Sequence, residues 1–135
     1  MNIEGIKELI DQSRGFEQTV GMEFISTPEP DTCMGRLVVD GHVLQPFGYL
    51  SGGAVLALAE TLAGVGSSAL CPDCSCAGIS VTASHVHSAK AGETVTALGH
   101  LIHKGRQTHV WRVDVTNDAG QLVSTVNVTN IIRPL

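Results

Sequence analysis

The amino-acid sequence predicts an α+β fold in which an antiparallel β-sheet wraps around one long central α-helix. Two observations carry this. Residues 51–70 form a single run rich in Ala and Leu that is apolar on nearly every side, the pattern of a buried helix. After Pro72 the pattern switches to period two, the signature of strands. A long apolar helix beside a set of strands is covered most simply when the sheet curls around it.

The elements follow in order. Within residues 1–14, Ile3, Ile6, Leu9 and Ile10 have the spacing of a short amphipathic helix, and Gly15 stops it. Residues 20–28 and 33–40 read as two strands joined by a turn at Pro28-Glu-Pro-Asp31. Residues 41–50 form a loop broken by Pro46 and Gly48, and Ser51 is a fitting N-cap for the central helix, 51–70. Ile79, Val81 and Ala83 then alternate with Ser80, Thr82 and Ser84, while His109, Trp111, Val113 and Val115 alternate with Val110, Arg112 and Asp114. Residues 94–102 and 122–131 are also strand-like, and Asn117-Asp-Ala-Gly120 makes a hairpin turn, so four strands in near-continuous hairpins are expected. Residues 1–135 are expected to form one domain, because the length leaves no room for a second core. One sheet of this size hardly covers so apolar a helix, so part of it is expected to pack against a second chain.

Composition narrows the function. The formal net charge is −5 and the pI about 5.6, with no basic face, which argues against nucleic acid. The N-terminal residues carry charges throughout and lack the apolar stretch of a signal peptide. The run from Gly52 to Leu70 is interrupted by Glu60 and rich in Gly and Ser, so no membrane span is expected and the cytoplasm is the expected location. Cys71, Cys74 and Cys76 form CPDCSC, a single knuckle where a structural zinc takes four ligands from two. With Cys33 they read as reduced thiols, and no metal is expected.

Glu60 is the most informative residue. An ionised carboxylate between Leu58-Ala59 and Leu62-Ala63 is costly unless it is paired, exposed or functional. Gly53, Ala57, Gly64 and Ser67 share its helix face at spacings of three or four, and this strip of small residues admits a ligand or another helix. Ser51-Gly52-Gly53 opens the helix, where unpaired amides and the helix dipole polarise a carbonyl oxygen. These features alone leave a catalytic carboxylate and a polar subunit contact equally open.

The run His42-Val-Leu-Gln45-Pro46-Phe47-Gly48-Tyr-Leu-Ser51-Gly52-Gly53-Ala54, followed by Leu58-Ala59-Glu60, resembles the signature of hotdog-fold acyl-CoA thioesterases. Within these it is most similar to the PaaI-like and aryl-CoA branch, which handles hydroxybenzoyl-CoA, enterobactin proofreading and dihydroxynaphthoyl-CoA. The resemblance extends through Ser84–Ala89, His103–Arg106 and Val110-Trp111, covering roughly residues 15–132.

The resemblance implies a thioesterase that hydrolyses an acyl-CoA, with an aromatic acyl group expected, to free acid and CoA without a further cofactor. It implies Glu60 as general base or nucleophile, Gly52 as the amide that polarises the thioester carbonyl, and Gln45 as an orienting group. Ser51, Gly53 and Gly64 fall at substrate-contacting positions, and His85, His87, Lys90, Lys104 and Arg106 where relatives hold coenzyme A. Relatives complete each site across two subunits, which implies a dimer or a dimer of dimers. Two positions depart from the pattern: Ser51 stands where relatives have His, and Gly64 where they have Ser or Thr. Two rivals share the fold, a non-catalytic acyl-CoA-binding protein and a dehydratase or hydratase using a His with an acidic partner, for which only His42 is near the helix start.

Overall fold

A computed structural model describes residues 1–135. The chain runs α1 (Glu4–Ser13), α2 (Phe16–Val20), β1 (Glu23–Ile25), β2 (Thr32–Val38), α3 (Gly52–Leu70), β3 (Cys74–His85), β4 (Thr94–Lys104), β5 (Thr108–Thr116) and β6 (Leu122–Pro134). The strands form one antiparallel sheet in the order β1-β2-β4-β5-β6-β3, with α3 lying across it. This is the expected hotdog arrangement of a sheet around a long helix.

Packing explains the arrangement. Leu58, Ala59, Leu62 and Ala63 of α3 are buried against Val95, Ala97, Val113, Val115, Val126 and Val128 of the sheet. Each fully buried Leu or Val stabilises by roughly 1.5–3 kcal/mol. By length and composition α3 is apolar enough to cross a membrane, but these residues face the sheet instead. Gly66 lets the helix approach closely, since a Cβ there would run into the Trp111 ring.

Several expectations need correction. The strand expected at 20–28 is only Glu23–Ile25, preceded by the short helix α2. Of the last four strands, β4, β5 and β6 form the expected successive hairpins, but β3 does not pair with β4: it pairs with β6 at the sheet edge, and β4 pairs with β2 instead. As an edge strand with a bulge between Gly78 and Ser80, β3 buries neither face well, and Ile79 is 58% exposed. Ser51 precedes α3 in extended conformation, but its side chain makes no capping hydrogen bond.

The expectation of reduced thiols also fails. Pro72-Asp73 turns the chain so that Cys71 and Cys74 lie 5.4 Å apart at Cα, within disulfide reach, and they are bonded. Cys33 and Cys76 are free. Burial pushes the Cys33 thiol up to about 12, which keeps it protonated and unreactive.

Ser67 also departs from the strip of small residues beside Glu60. It is fully buried, and its hydroxyl joins Trp111, His109 and Asn130. Trp111 Nε1 and Asn130 Nδ2 donate to Ser67 Oγ at 3.0 and 2.9 Å. With both lone pairs taken, the hydroxyl proton goes to His109 Nδ1, 3.0 Å away, and His109 is held neutral. Burial, then the nearby charges of Lys104 and His103, lower the His109 pKa from its ordinary value.

Candidate active site

The loop before α3 is built by its own hydrogen bonds. Gly48, at φ 87°, lets the chain reverse, so that Gln45 N–H donates to Tyr49 O and Gly48 N–H to Gln45 O, at 2.7 and 3.0 Å. Phe47 N–H donates to Gln45 Oε1, which commits that oxygen and leaves the Gln45 amide NH₂ as a donor. Leu50 N–H donates to Ala89 O at 2.9 Å, tying the loop to the segment after β3.

Beyond this loop, Ala54 and Val55 N–H donate to Ser51 O, which leaves the Gly52 and Gly53 amides outside the helical ladder. His85 stands directly over Gly52, fixed by a 2.7 Å hydrogen bond between its Nδ1 and Ser124 Oγ. Gln45, Gly52, His85 and His87 line one cavity of about 390 Å³. Four of the expected residues therefore meet. Lys90 is exposed just beyond it, with Tyr49 bridged to it across the backbone.

Glu60 lies elsewhere. It sits in a second cavity of about 330 Å³ with Gly64, Thr61, Ser68, Glu17 and Cys76. Its carboxylate lies across Gly78 of β3, where a Cβ would collide with Oε1. Burial raises the Cys76 pKa, so this neighbouring thiol is not activated. The position of Gly64 is open, with nothing within 4 Å of an added Cβ.

Eight residues of helix separate Gly52 from Glu60, about 12 Å along the axis. A thioester carbon touches both groups only if each is about 3–3.5 Å away. One chain therefore does not bring Glu60 and the Gly52 amide onto the same carbon, although their spacing in sequence invites that reading.

The cationic residues divide the same way. The β4–β5 turn, holding Lys104 and Arg106, lies at the Glu60 end, because Gln107 O accepts from Ile132 N–H and Asn130 pairs with Gly78. His85 pairs with Ser124, six residues along β6 and about 20 Å away. Arg106 lines its own open cavity with His103, Gly105, Gln107 and Thr108. Ser51 and Gly53 face a separate apolar cavity on the far side of the helix start.

Sequence reasoning missed Gly78, Ser124, Glu17 and Cys76. Each gains its place from strand register or helix packing, and none carries a local signal.

Comparisons with known proteins agree with this fold. The sequence profile of the thioesterase superfamily matches residues 47–124. The 1,4-dihydroxy-2-naphthoyl-CoA hydrolase of Listeria monocytogenes is 35% identical over 120 residues, covering 88% of this chain and 96% of the relative. Thioesterase PA1618 of Pseudomonas aeruginosa superposes with a TM-score of 0.89 at 30% identity, covering 100% of this chain and 96% of that one. A thioesterase from Staphylococcus aureus, SAV0944, gives 0.82 at 38% identity over 87% of this chain and 98% of its own. With the profile spanning α3 and strands β3 to β5, the chain belongs to the thioesterase superfamily and is a thioester hydrolase.

Proposed function

We propose that the chain hydrolyses an aromatic acyl-CoA, with Glu60 activating water or attacking the thioester and with each site assembled from two subunits. The observation that carries this is the separation within one chain: Gly52, Gln45 and His85 at one end of β3, Glu60 at the other. β3 is one of the two edges of the sheet, the other being the three-residue β1, and it leaves Ile79 exposed. Two copies of β3 pairing antiparallel about Val81-Thr82 set Gly78 of one opposite His85 of the other. Glu60 and the Lys104–Arg106 turn of one subunit then face Gln45, Gly52, His85 and His87 of its partner.

In that arrangement the Gly52 amide and the Gln45 NH₂ donate to the thioester oxygen as negative charge develops there. Glu60 supplies the base or the nucleophile. The CoA phosphates meet His87, Lys90 and the turn cations. No cofactor enters the scheme, since coenzyme A arrives with the substrate. The relative from Listeria, named for a dihydroxynaphthoyl-CoA, supports the aromatic acyl group.

A hydratase reading has one observation in its favour. His42 is held by Asp40, whose Oδ1 accepts from His42 N–H at 2.9 Å and from Nδ1 at 3.2 Å. Asp40's pKa is lowered, first by that backbone hydrogen bond. The pair is largely exposed and outside the Gly52 cavity, so the hydrolase reading is favoured. Thiol release from a panel of acyl-CoAs decides between them. Release abolished by Glu60→Gln supports the proposal. Hydration of an enoyl-CoA without thiol release overturns it, as does tight acyl-CoA binding with no turnover.

A further inference from the structure

Three of the four cysteines crowd the junction between α3 and β3. Cys71 follows the last residue of α3, Cys74 opens β3, and the bond between them closes the exposed turn at Pro72-Asp73. Cys76, two residues further on, is a free, half-buried thiol. Cys74 and Cys76 both line an open groove of about 730 Å³ between α1 and the end of α3, which gives a small reagent a way to the bond. Cys33, by contrast, is buried in the core and takes no part.

Little else holds the start of β3. As an edge strand it has one neighbour, β6, and its first three residues pair with Pro134, Arg133 and Ile132. Pro134 has no N–H to give to the ladder, and residues 133–135 are exposed. Around the turn, Cys74 N–H donates to Cys71 O and Leu135 N–H to Asp73 O, both at 3.1 Å. The disulfide is therefore the firmest tie between the end of α3 and the strand. Four residues beyond Cys74 comes Gly78, on which the Glu60 carboxylate rests. Between them, Cys76 shares one cavity with Glu60.

We propose that Cys71–Cys74 is a reversible redox switch, opened by a dithiol reductant, that sets how firmly β3 holds Gly78 beneath Glu60. Its effect on turnover rests on the thioesterase reading; the opening of β3 does not. One thiolate of the dithiol attacks Cys74 Sγ, forming a mixed disulfide and releasing Cys71 as a thiolate that takes up a proton. The second thiol of the reagent then attacks its own sulfur in that mixed disulfide. The reductant leaves as a cyclic disulfide and Cys74 as a thiol. Two electrons and two protons pass to the protein, and the oxidised dithiol reverses both steps. With the bond open, residues 74–77 are held by one strand alone and open locally far more often. That opening frees Cys76 and loosens the seat of Glu60. The β3 contact between subunits set out above uses residues 78–85, so the bond stays outside it.

The experiment equilibrates the protein with mixtures of reduced and oxidised dithiothreitol, removes the reagent under argon, and reads two signals. One is the rate at which iodoacetamide alkylates Cys76, followed by peptide mass spectrometry. The other is kcat on a panel of acyl-CoAs, followed by chromatography so that stray thiols do not count. Reduction is expected to speed Cys76 alkylation at least tenfold and to lower kcat at least threefold, with oxidation restoring both. The double variant Cys71→Ser, Cys74→Ser should show the reduced-state values throughout and ignore dithiothreitol. Faster alkylation with no acyl-CoA turned over in either state supports the switch and sinks the hydrolase reading alone. Alkylation that neither reduction nor the double variant changes overturns the proposal, as does a kcat that stays the same while alkylation rises.

Discussion

His85 lies so close over Gly52 that a Cβ on the glycine would stand 2.8 Å from His85 Nε2. His85 is itself tied to Ser124 of β6. The start of α3 and the end of β3 are therefore locked at one point, and any side chain at 52 has to displace an anchored ring. Gly52→Ala is expected to lower kcat/KM at least tenfold, or about 1.4 kcal/mol, while the melting temperature changes little. Steady-state kinetics beside a thermal melt checks this. An unimpaired variant would show that the approach has no bearing on catalysis.

Gly78 plays the matching part at the other end of β3. Only the absence of a side chain lets the Glu60 carboxylate lie across the strand. Gly78→Ala should displace Glu60 and reduce kcat about as severely as loss of the carboxylate, with β3 retained in the sheet. Circular dichroism and kinetics together test it. Normal turnover by this variant would mean that the pose of Glu60 over β3 is not the working one.

Ser51 and Glu60 separate cleanly. Glu60→Gln is expected to lower kcat by at least ~10³, about 4 kcal/mol of barrier. Ser51→Ala should lower it less than ~10-fold. A working N-cap would cost roughly 1 kcal/mol on removal. Since the Ser51 hydroxyl caps nothing, a loss well below that is expected in denaturant titration.

Stability should depend on pH through His109. Its folded pKa lies below the unfolded value of about 6.5, so the unfolded chain takes up the proton first as pH falls. The stabilising contribution is complete above that value. It declines as pH drops from there towards the lowered folded pKa, where the imidazolium forms and Nδ1 stops accepting from Ser67. Ser67→Ala strands Trp111 Nε1 and Asn130 Nδ2 without their buried acceptor, a loss on the order of 2–4 kcal/mol. Unfolding at pH 5 and pH 8 should show the wild-type difference and a smaller one in His109→Gln.

The sequence carries the central helix openly, because an Ala/Leu run ending at Pro72 has few other readings. It carries Glu60 equally well, as a lone carboxylate among apolar neighbours. Helix α2 is hidden because five residues contain too little periodicity to register. The order β6-β3 is hidden because alternation marks Ile79, Val81 and Ala83 as a strand without naming its neighbour. For the same reason Gly78 and Ser124 are silent: each acquires its place beside Glu60 or His85 only once β3 and β6 are in register. The Cys71–Cys74 bond depends on a turn that composition reads as an ordinary loop.

The shared site makes a prediction that no single substitution can mimic. If Glu60 of one subunit works with Gln45 and Gly52 of the other, then Glu60→Gln and Gln45→Ala chains should rescue one another. In a mixed dimer one site carries both defects, and the other combines an intact Glu60 with an intact Gln45. Random assortment makes half the dimers mixed, so about a quarter of wild-type activity should return. Co-expression with two affinity tags, followed by sequential purification, isolates the mixed dimer, which should then show about half. A site built within one chain gives no recovery at all, since every chain carries a defect. Recovery at the expected level, together with its loss when a proline at Thr82 breaks the exposed β3 edge, would tie catalysis to this contact. An inactive mixed dimer would place the whole site back inside a single subunit.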